Sequence, residues 1–237
     1  MTVAHQFTIT EPFRDIFPEV QLAVITVRGI DNHDNGQVPA HLLADANDQV
    51  EDLIPYEPIS KNPLIHEWRE AFSKFKTKKG ARFAVENLLK RAKKGHPVRS
   101  INPIVDLYNT ISLTYGFAVA ALDEDKINGN MQLTVAKGGG PFVAIGESEN
   151  DPALPGEVIY RDDVNVTSRC WAWRDSEVSE ATEDSTNFLL YIECLKPEWQ
   201  ETHRKAVKEL TDNIKTYLGG EIAVQLITKD KPTIMIK

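Results

Sequence analysis

The chain has 237 residues, 41% of them hydrophobic and 26% charged, with no long biased tract. That make-up suits a globular protein burying about 70–75% of the surface its unfolded chain exposes, and it excludes a disordered or fibrous chain. The formal net charge of −8 and the pI near 5.3 argue against general nucleic-acid affinity, which rests on neutralising phosphates, and no apolar run approaches the roughly 20 residues of a membrane span.

The opening segment, MTVAHQFTITEPF, lacks the charged-then-apolar order of a signal peptide, so a cytoplasmic protein is expected, with a loose N-terminus over residues 1–16 and one domain over residues 17–237. Alternating Val20, Leu22 and Val24 predict a strand over residues 20–27, and a helix is expected over residues 40–53. Pro63 opens a helix whose Leu64, Ile65, Trp68, Phe72 and Phe75 recur at threes and fours, and residues 83–93 form a second helix stopped by Gly95. From Phe117 the pattern turns to short strands, over residues 117–122, 131–136, 142–145, 157–160, 164–171 and 188–195. Asn128-Gly129 suits a tight turn pairing the strand at Met131 with what precedes it. Pro197 begins an amphipathic helix ended by Gly219-Gly220, and strands over residues 222–227 and 233–236 close the chain. Helices crowd the first half and strands the second, so the expected class is α+β, with a layered, sandwich-like sheet core flanked by helices.

One helix carries a conflict. Asn102 is a good N-cap and Pro103 a good first helical residue, but Asn102, Asp106 and Asn109 then share one face of a helix whose remaining surface is apolar. Half-buried amides and carboxylates left unpaired cost roughly 1–3 kcal/mol each, so these groups bind either the protein or a ligand. The plainer alternative is a structural network in which Asp106 pins neighbouring backbone and Asn109 ties a loop.

Charge is uneven along the chain. Lys74, Lys76, Lys78, Lys79, Arg82, Lys90, Arg91, Lys93, Lys94 and Arg99 face a single acid, Glu86, in the same stretch. This is either a solvated helix surface or a contact surface for tRNA or another phosphate ligand, to which the acidic surroundings would confine a polyanion. Lys137-Gly138-Gly139-Gly140 is followed by Pro141 and a strand-like segment instead of a helix N-terminus, and reads as a flexible turn. The histidines (His5, His33, His41, His66, His96, His203) show no metal-ligand spacing, Cys170 and Cys194 read as small buried hydrophobes, and neither a metal nor a cofactor is expected. In residues 170–177, Trp171 and Trp173 alternate in a strand running into Arg174, Asp175 and Glu177, a composition suited either to a pocket mouth or to a sheet-edge salt bridge over core tryptophans.

The segments Asn102-Pro103-Ile104-Val105-Asp106-Leu107-Tyr108-Asn109-Thr110-Ile111-Ser112-Leu113, Ala121-Leu122-Asp123, Gly156-Glu157-Val158-Ile159-Tyr160, Trp171-Ala172-Trp173-Arg174 and Thr186-Asn187 resemble the free-standing B3/B4 domain family. That family is named after the tRNA-editing module in the beta subunit of phenylalanyl-tRNA synthetase. Phe17-Pro18-Glu19-Val20 and Val27-Arg28-Gly29-Ile30 extend the likeness, which runs from Phe17 to Leu195 and includes no synthetase catalytic core. The resemblance implies a pocket that recognises an aminoacyl group or cleaves its ester in trans. By residue it implies Asn109 and Glu177 as catalytic groups, with Asp106, Ala120 and Arg174 around the substrate. The partners it implies are tRNA or aminoacyl-tRNA, held by Lys90, Arg91, Lys93 and Lys94, and an amino-acid ligand. A non-catalytic module binding tRNA or an amino acid is the second expectation, and a metabolic small-molecule pocket the third. Ala120 replaces the histidine of the editing pocket and Tyr108 the threonine before its asparagine, which counts against tyrosine specificity.

Overall fold

Side chains alternate between two apolar surroundings along the strand Gln21–Arg28: Leu22 and Val24 join one core, Ala23, Ile25 and Val27 the other. The strand Asn187–Cys194 beside it behaves the same way, with Leu189 and Tyr191 on one side and Phe188, Leu190 and Ile192 on the other. A sheet with two buried faces must be covered twice, and this requirement sets the layers.

The computed structural model describes residues 5–236. In chain order the elements are β1 (Gln6–Ile9), α1 (Glu11–Arg14), β2 (Gln21–Arg28), α2 (Ala40–Asp48), α3 (Val50–Leu53), α4 (Pro63–Ser73), α5 (Ala84–Lys93), α6 (Pro103–Tyr115), β3 (Val119–Asp123), β4 (Met131–Val135), β5 (Val158–Arg161), β6 (Val166–Arg169), β7 (Arg174–Asp175), β8 (Asn187–Cys194), α7 (Gln200–Tyr217), β9 (Glu221–Ile227) and β10 (Thr233–Met235). Two sheets form, ordered β10-β1-β4-β5-β6-β7 and β3-β8-β2-β9. Phe7, Leu133, Tyr160 and Ile234 of the first share a core with Leu22, Val24, Leu189 and Tyr191 of the second. The other face of the second sheet is covered by Ile104, Leu107 and Ile111 of α6 and by Leu210 and Ile214 of α7. The fold is α+β, a sandwich of two sheets backed by helices. No described helix is long and apolar enough to cross a membrane.

Several local expectations are corrected. The N-terminus is not loose from Gln6 on: β1 lies between β4 and β10, and Phe7 and Phe13 are fully buried. Residues 1–4 lie outside the described residues. The Asn128-Gly129 turn does not pair β3 with β4, which belong to different sheets. The 128–130 segment is held instead by the loop after β5, through Asn128 N–H to Asp162 Oδ2 (2.9 Å) and Asn130 N–H to Asp163 Oδ2 (3.0 Å). Residues 142–145 form only an isolated bridge, Ala144 to Ser176. Cys170 and Trp171 are not strand residues; they turn the chain between β6 and β7 with φ of 45° and 61°. Both cysteines are buried and unbridged, and burial pushes their thiols up to about 12 (Cys170) and about 11 (Cys194).

Beneath the first sheet, Arg169 and Glu157 are both 0% exposed and form a two-pronged pair, Nε to Oε2 at 2.9 Å and Nη2 to Oε1 at 2.6 Å. Arg169 Nη1 also donates to the carbonyl of Asp151 at 2.7 Å. Arg169 also pairs with the Asp151 carboxylate, Nη1 to Oδ2 at 2.8 Å, so removing Glu157 leaves it one acid, whereas removing Arg169 strands the buried Glu157 carboxylate. Arg169→Met is therefore expected to lower the unfolding free energy by about 3–5 kcal/mol in urea titrations; a loss below about 1 kcal/mol, the range of exposed pairs, would contradict this burial.

Candidate functional site

The polar stripe of α6 divides by role. Asn102 caps the helix, its side-chain oxygen accepting from Val105 N–H at 3.1 Å. Asp106 holds the preceding turn, accepting from Ile101 N–H (2.8 Å) and Ser100 Oγ (2.5 Å), and it borders a separate cleft with Asn47 and Thr110. Asn109 is only 5% exposed, yet its amide makes no hydrogen bond within the described chain. It lines a cavity of about 380 Å³.

That cavity is walled by α5 and α6, by the start of β3, by the 171–173 turn and by the facing surfaces of β5, β6, β7 and β8. Its depth is set by side chains from both sheets. Tyr160 of β5 and Tyr191 of β8 stack with centroids 4.3 Å apart, and the Tyr160 hydroxyl donates to Glu193 Oε1 at 2.8 Å. Glu193 is 1% exposed, and its Oε2 has no partner; the Tyr191 hydroxyl is likewise buried and unpaired, and the Trp171 indole N–H acts on the Glu193 carboxyl. Small residues leave the space open: Ala120 sits opposite Tyr191 in the β3–β8 register, with Ala118 and Ala84 also lining it.

Electrostatically this is an acidic interior. Burial pushes the Glu193 carboxyl up to about 8, opposed by the Tyr160 hydrogen bond and reinforced by the negative charge of Asp175. Burial likewise raises Asp175, which lines the cavity on β7, to about 6, while a Ser168 hydrogen bond acts in the other direction. Tyr160 and Tyr191 are held well above their ordinary value, first by burial and then by these carboxylates, so both remain protonated donors. Among the described lining residues the single basic side chain is Arg174, which is paired with Glu147 and lies over Trp173, its guanidinium carbon 5.3 Å from the ring centroid.

Of the residues singled out in the sequence, Asn109, Ala120 and Arg174 line this cavity; Glu177 and Asp106 do not. Glu177 is exposed at the start of a short 3₁₀ turn, its backbone N–H bound to the carbonyl of Val143 at 2.9 Å. On α5, Lys90, Arg91 and Lys94 are exposed and make no ion pair among the described residues, whereas Lys93 is taken up by the Ile54 carbonyl (2.7 Å) and by Glu51 and Glu57 (3.3 Å each). Arg91 falls three and four residues after Leu88 and Asn87, two lining residues, and so continues the cavity-facing stripe of the helix. The acids that reasoning from sequence missed are Asp175 and Glu193. Glu193 had a signal, as a lone carboxylate in the apolar run Phe188-Leu189-Leu190-Tyr191-Ile192-Glu193. Among the described residues no group of three or more His, Cys, Asp and Glu side chains is placed to hold a metal ion.

Fold and site together define a two-sheet α+β domain enclosing a small acidic cavity lined by tyrosines. The model of the B3/4 domain matches residues 67–229, more than half of the chain, and the chain belongs to that family. A solved structure similar to it is an N-terminal fragment of the phenylalanyl-tRNA synthetase beta-subunit from Pyrococcus horikoshii, at 15% identity and a TM-score of 0.52, covering 91% of this chain and 49% of the fragment. The chain thus spans about half the length of that fragment, and the likeness is one of fold. No curated protein matches the chain.

The raised Glu193 carboxyl has a consequence for folding. The native state keeps this proton up to about 8 and the unfolded chain releases it near 4.5, so stability is expected to fall as pH rises between these values and to level off above them. Asp175 adds a fall of the same sign between 3.8 and about 6. Glu193→Gln keeps the shape without the titration, and urea unfolding across this range should show a flatter profile for the variant than for the parent.

Proposed function

We propose that the chain is a free-standing aminoacyl-tRNA editing module, admitting the aminoacyl end of a mischarged tRNA to the cavity and hydrolysing its ester in trans. The observation that carries this reading is the unpaired amide of Asn109 inside a cavity sized for one amino acid, in a member of the B3/4 family. An aminoacyl ester is already activated, so positioning does most of what catalysis requires. The Asn109 N–H groups donate to the ester carbonyl oxygen, where negative charge develops as water attacks. Asp175, with its carboxyl pushed up to about 6, is the acid–base group suited to accept the proton of that water near neutral pH, in the role first expected of Glu177. The exposed cations Lys90, Arg91 and Lys94 hold phosphates of the acceptor end beside the cavity.

A screen of mischarged tRNAs with the purified chain tests this. Deacylation of at least one substrate is expected, slowed about 10²-fold or more by Asn109→Ala, the scale seen when one donor to a developing oxyanion is removed. No activity across a broad panel would leave the second reading, a module that binds tRNA or an amino acid without cleaving. What favours that reading is Ala120 in place of the editing pocket's histidine.

Binding supplies a separate prediction. If α5 contacts phosphates, log affinity for tRNA falls linearly with log salt, and reversing Lys90, Arg91 and Lys94 to Glu lowers the slope by up to about 3, near one per lost contact. An unchanged slope in filter-binding titrations would remove α5 from the interface.

A further inference from the structure

An ester still joined to tRNA stays at the mouth of the cavity, because the nucleic acid cannot follow it inward, so the inner end of the cavity meets the far end of the amino-acid side chain. The inner end is built from Glu193, Tyr160, Tyr191 and Trp171, each nearly or fully buried. Two oxygens there lack partners, Glu193 Oε2 and the Tyr191 hydroxyl, and the Trp171 indole N–H faces the Glu193 carboxyl. Unpaired groups at such depth are costly unless a ligand completes them.

We propose that this inner end is an ammonium site, so that the cavity selects aminoacyl groups whose side chain ends in a primary amine. The proposal rests on the reading of the cavity as an aminoacyl pocket and adds what that group carries. Two acids, Glu193 and Asp175, line the cavity, and the one basic lining residue, Arg174, already pairs with Glu147. No free cation among the described lining residues balances the Asp175 carboxylate or would balance Glu193 once it ionises. A ligand hydroxyl would offset none of this charge, whereas an ammonium brings a full positive charge and donors for Glu193 Oε2 and the Tyr191 oxygen. Tyr108, Tyr160, Tyr191 and Trp171 line the cavity, so its walls are aromatic as well as acidic.

The groups facing Glu193 are Tyr160 from β5, Tyr191 from β8 itself, Asp175 from β7 and the indole of Trp171 from the turn before β7. None is a cation. Glu193, its carboxyl raised to about 8, is largely protonated at pH 7, and an arriving ammonium favours its ionised form. Seating the amine therefore drives off a proton, and affinity rises with pH up to about 8.

Isothermal titration calorimetry of the full chain at pH 7 with L-lysinamide, L-norleucinamide and L-tyrosinamide tests this, the last two carrying the same α-amino group without the side-chain amine. Lysinamide is expected to bind about tenfold or more tightly than either. In buffers of different ionisation enthalpy it should release up to about one proton more than norleucinamide. Glu193→Gln should bring the lysinamide-to-norleucinamide ratio towards one and remove the extra proton. Should that variant fail to fold, Tyr191→Phe should narrow the ratio severalfold. Equal affinities, tighter binding of tyrosinamide, an unchanged proton count or no binding of any of the three overturns the proposal. Selective lysinamide binding without any action on tRNA would overturn the editing reading and leave the ammonium site standing. Deacylation of a mischarged tRNA with no preference for lysinamide would do the reverse.

Discussion

The hydrogen bond from the Tyr160 hydroxyl to Glu193 crosses from one sheet to the other, and the cavity depends on it. Two sheets facing each other would ordinarily close over apolar side chains at about 10 Å separation. Here β8 presents a carboxyl on the inner face, two residues after Tyr191, and the sheet opposite must supply a donor or leave that carboxyl stranded. Tyr160 does so, and its ring stacks on Tyr191 while Phe7 meets both rings edge-on, with centroids 6.1 and 5.9 Å away. The aromatic wall thus has one polar edge, and that edge becomes the acidic end of the cavity.

Holding the cavity open requires a rigid rim, and the turn at residues 170–173 provides it. Left-handed backbone at Cys170 and Trp171 costs about 1–3 kcal/mol per residue and persists only where surroundings over-determine it. The surroundings do so: Trp171 N–H donates to the Val158 carbonyl at 2.6 Å, Ser168 Oγ donates to the carbonyl of Trp171 at 2.7 Å, and the indole packs against Phe13, Phe17 and Trp68. The same turn accepts Ala84 N–H on the Ala172 carbonyl at 2.8 Å, which fixes the first turn of α5. Because α5 carries Asn87 and Leu88 on the cavity and Arg91 one turn further along, the strained turn that shapes the acidic interior also sets the register of the basic surface outside it.

Elements whose signal is local were legible in the sequence. The cap at Asn102, the proline at the first position of α4 and the alternation in β2 each state their structure within a few residues. Long-range pairing was not legible. Gln6–Ile9 is too short to show a period, and it becomes a strand because β4 and β10 flank it. Asn128-Gly129 has hairpin residues, yet side chains of Asp162 and Asp163, more than thirty positions later, claim its backbone. The site follows the same division. Asn109 lies on a helix whose face could be counted, whereas Asp175 and Glu193 acquire their character from burial against residues distant in sequence, which composition does not display. Glu177, two residues from Asp175, is a similar side chain in solvent; the bridge between Ala144 and Ser176 separates the two environments.

The opening of the cavity rests on what is small as much as on what is charged. Ala120 faces Tyr191 across the β3–β8 pair, so the wall opposite the phenol is a methyl group, and Ala118 extends that wall. A histidine at position 120 would place a second polar ring directly across from Tyr191, filling space and competing for its hydroxyl. With alanine there, the β3 residues lining the cavity carry no polar side chain, and the polar lining groups of the sheets lie on the β5, β7 and β8 side, among them Tyr160, Asp175, Tyr191 and Glu193. All four are acids or phenols: the Asp175 carboxylate accepts from donors and cations, and the phenols both donate and accept. The small side chains on β3 and the acids and phenols opposite thus give the cavity one apolar wall and one polar wall, and the space between them exists because position 120 carries only a methyl group.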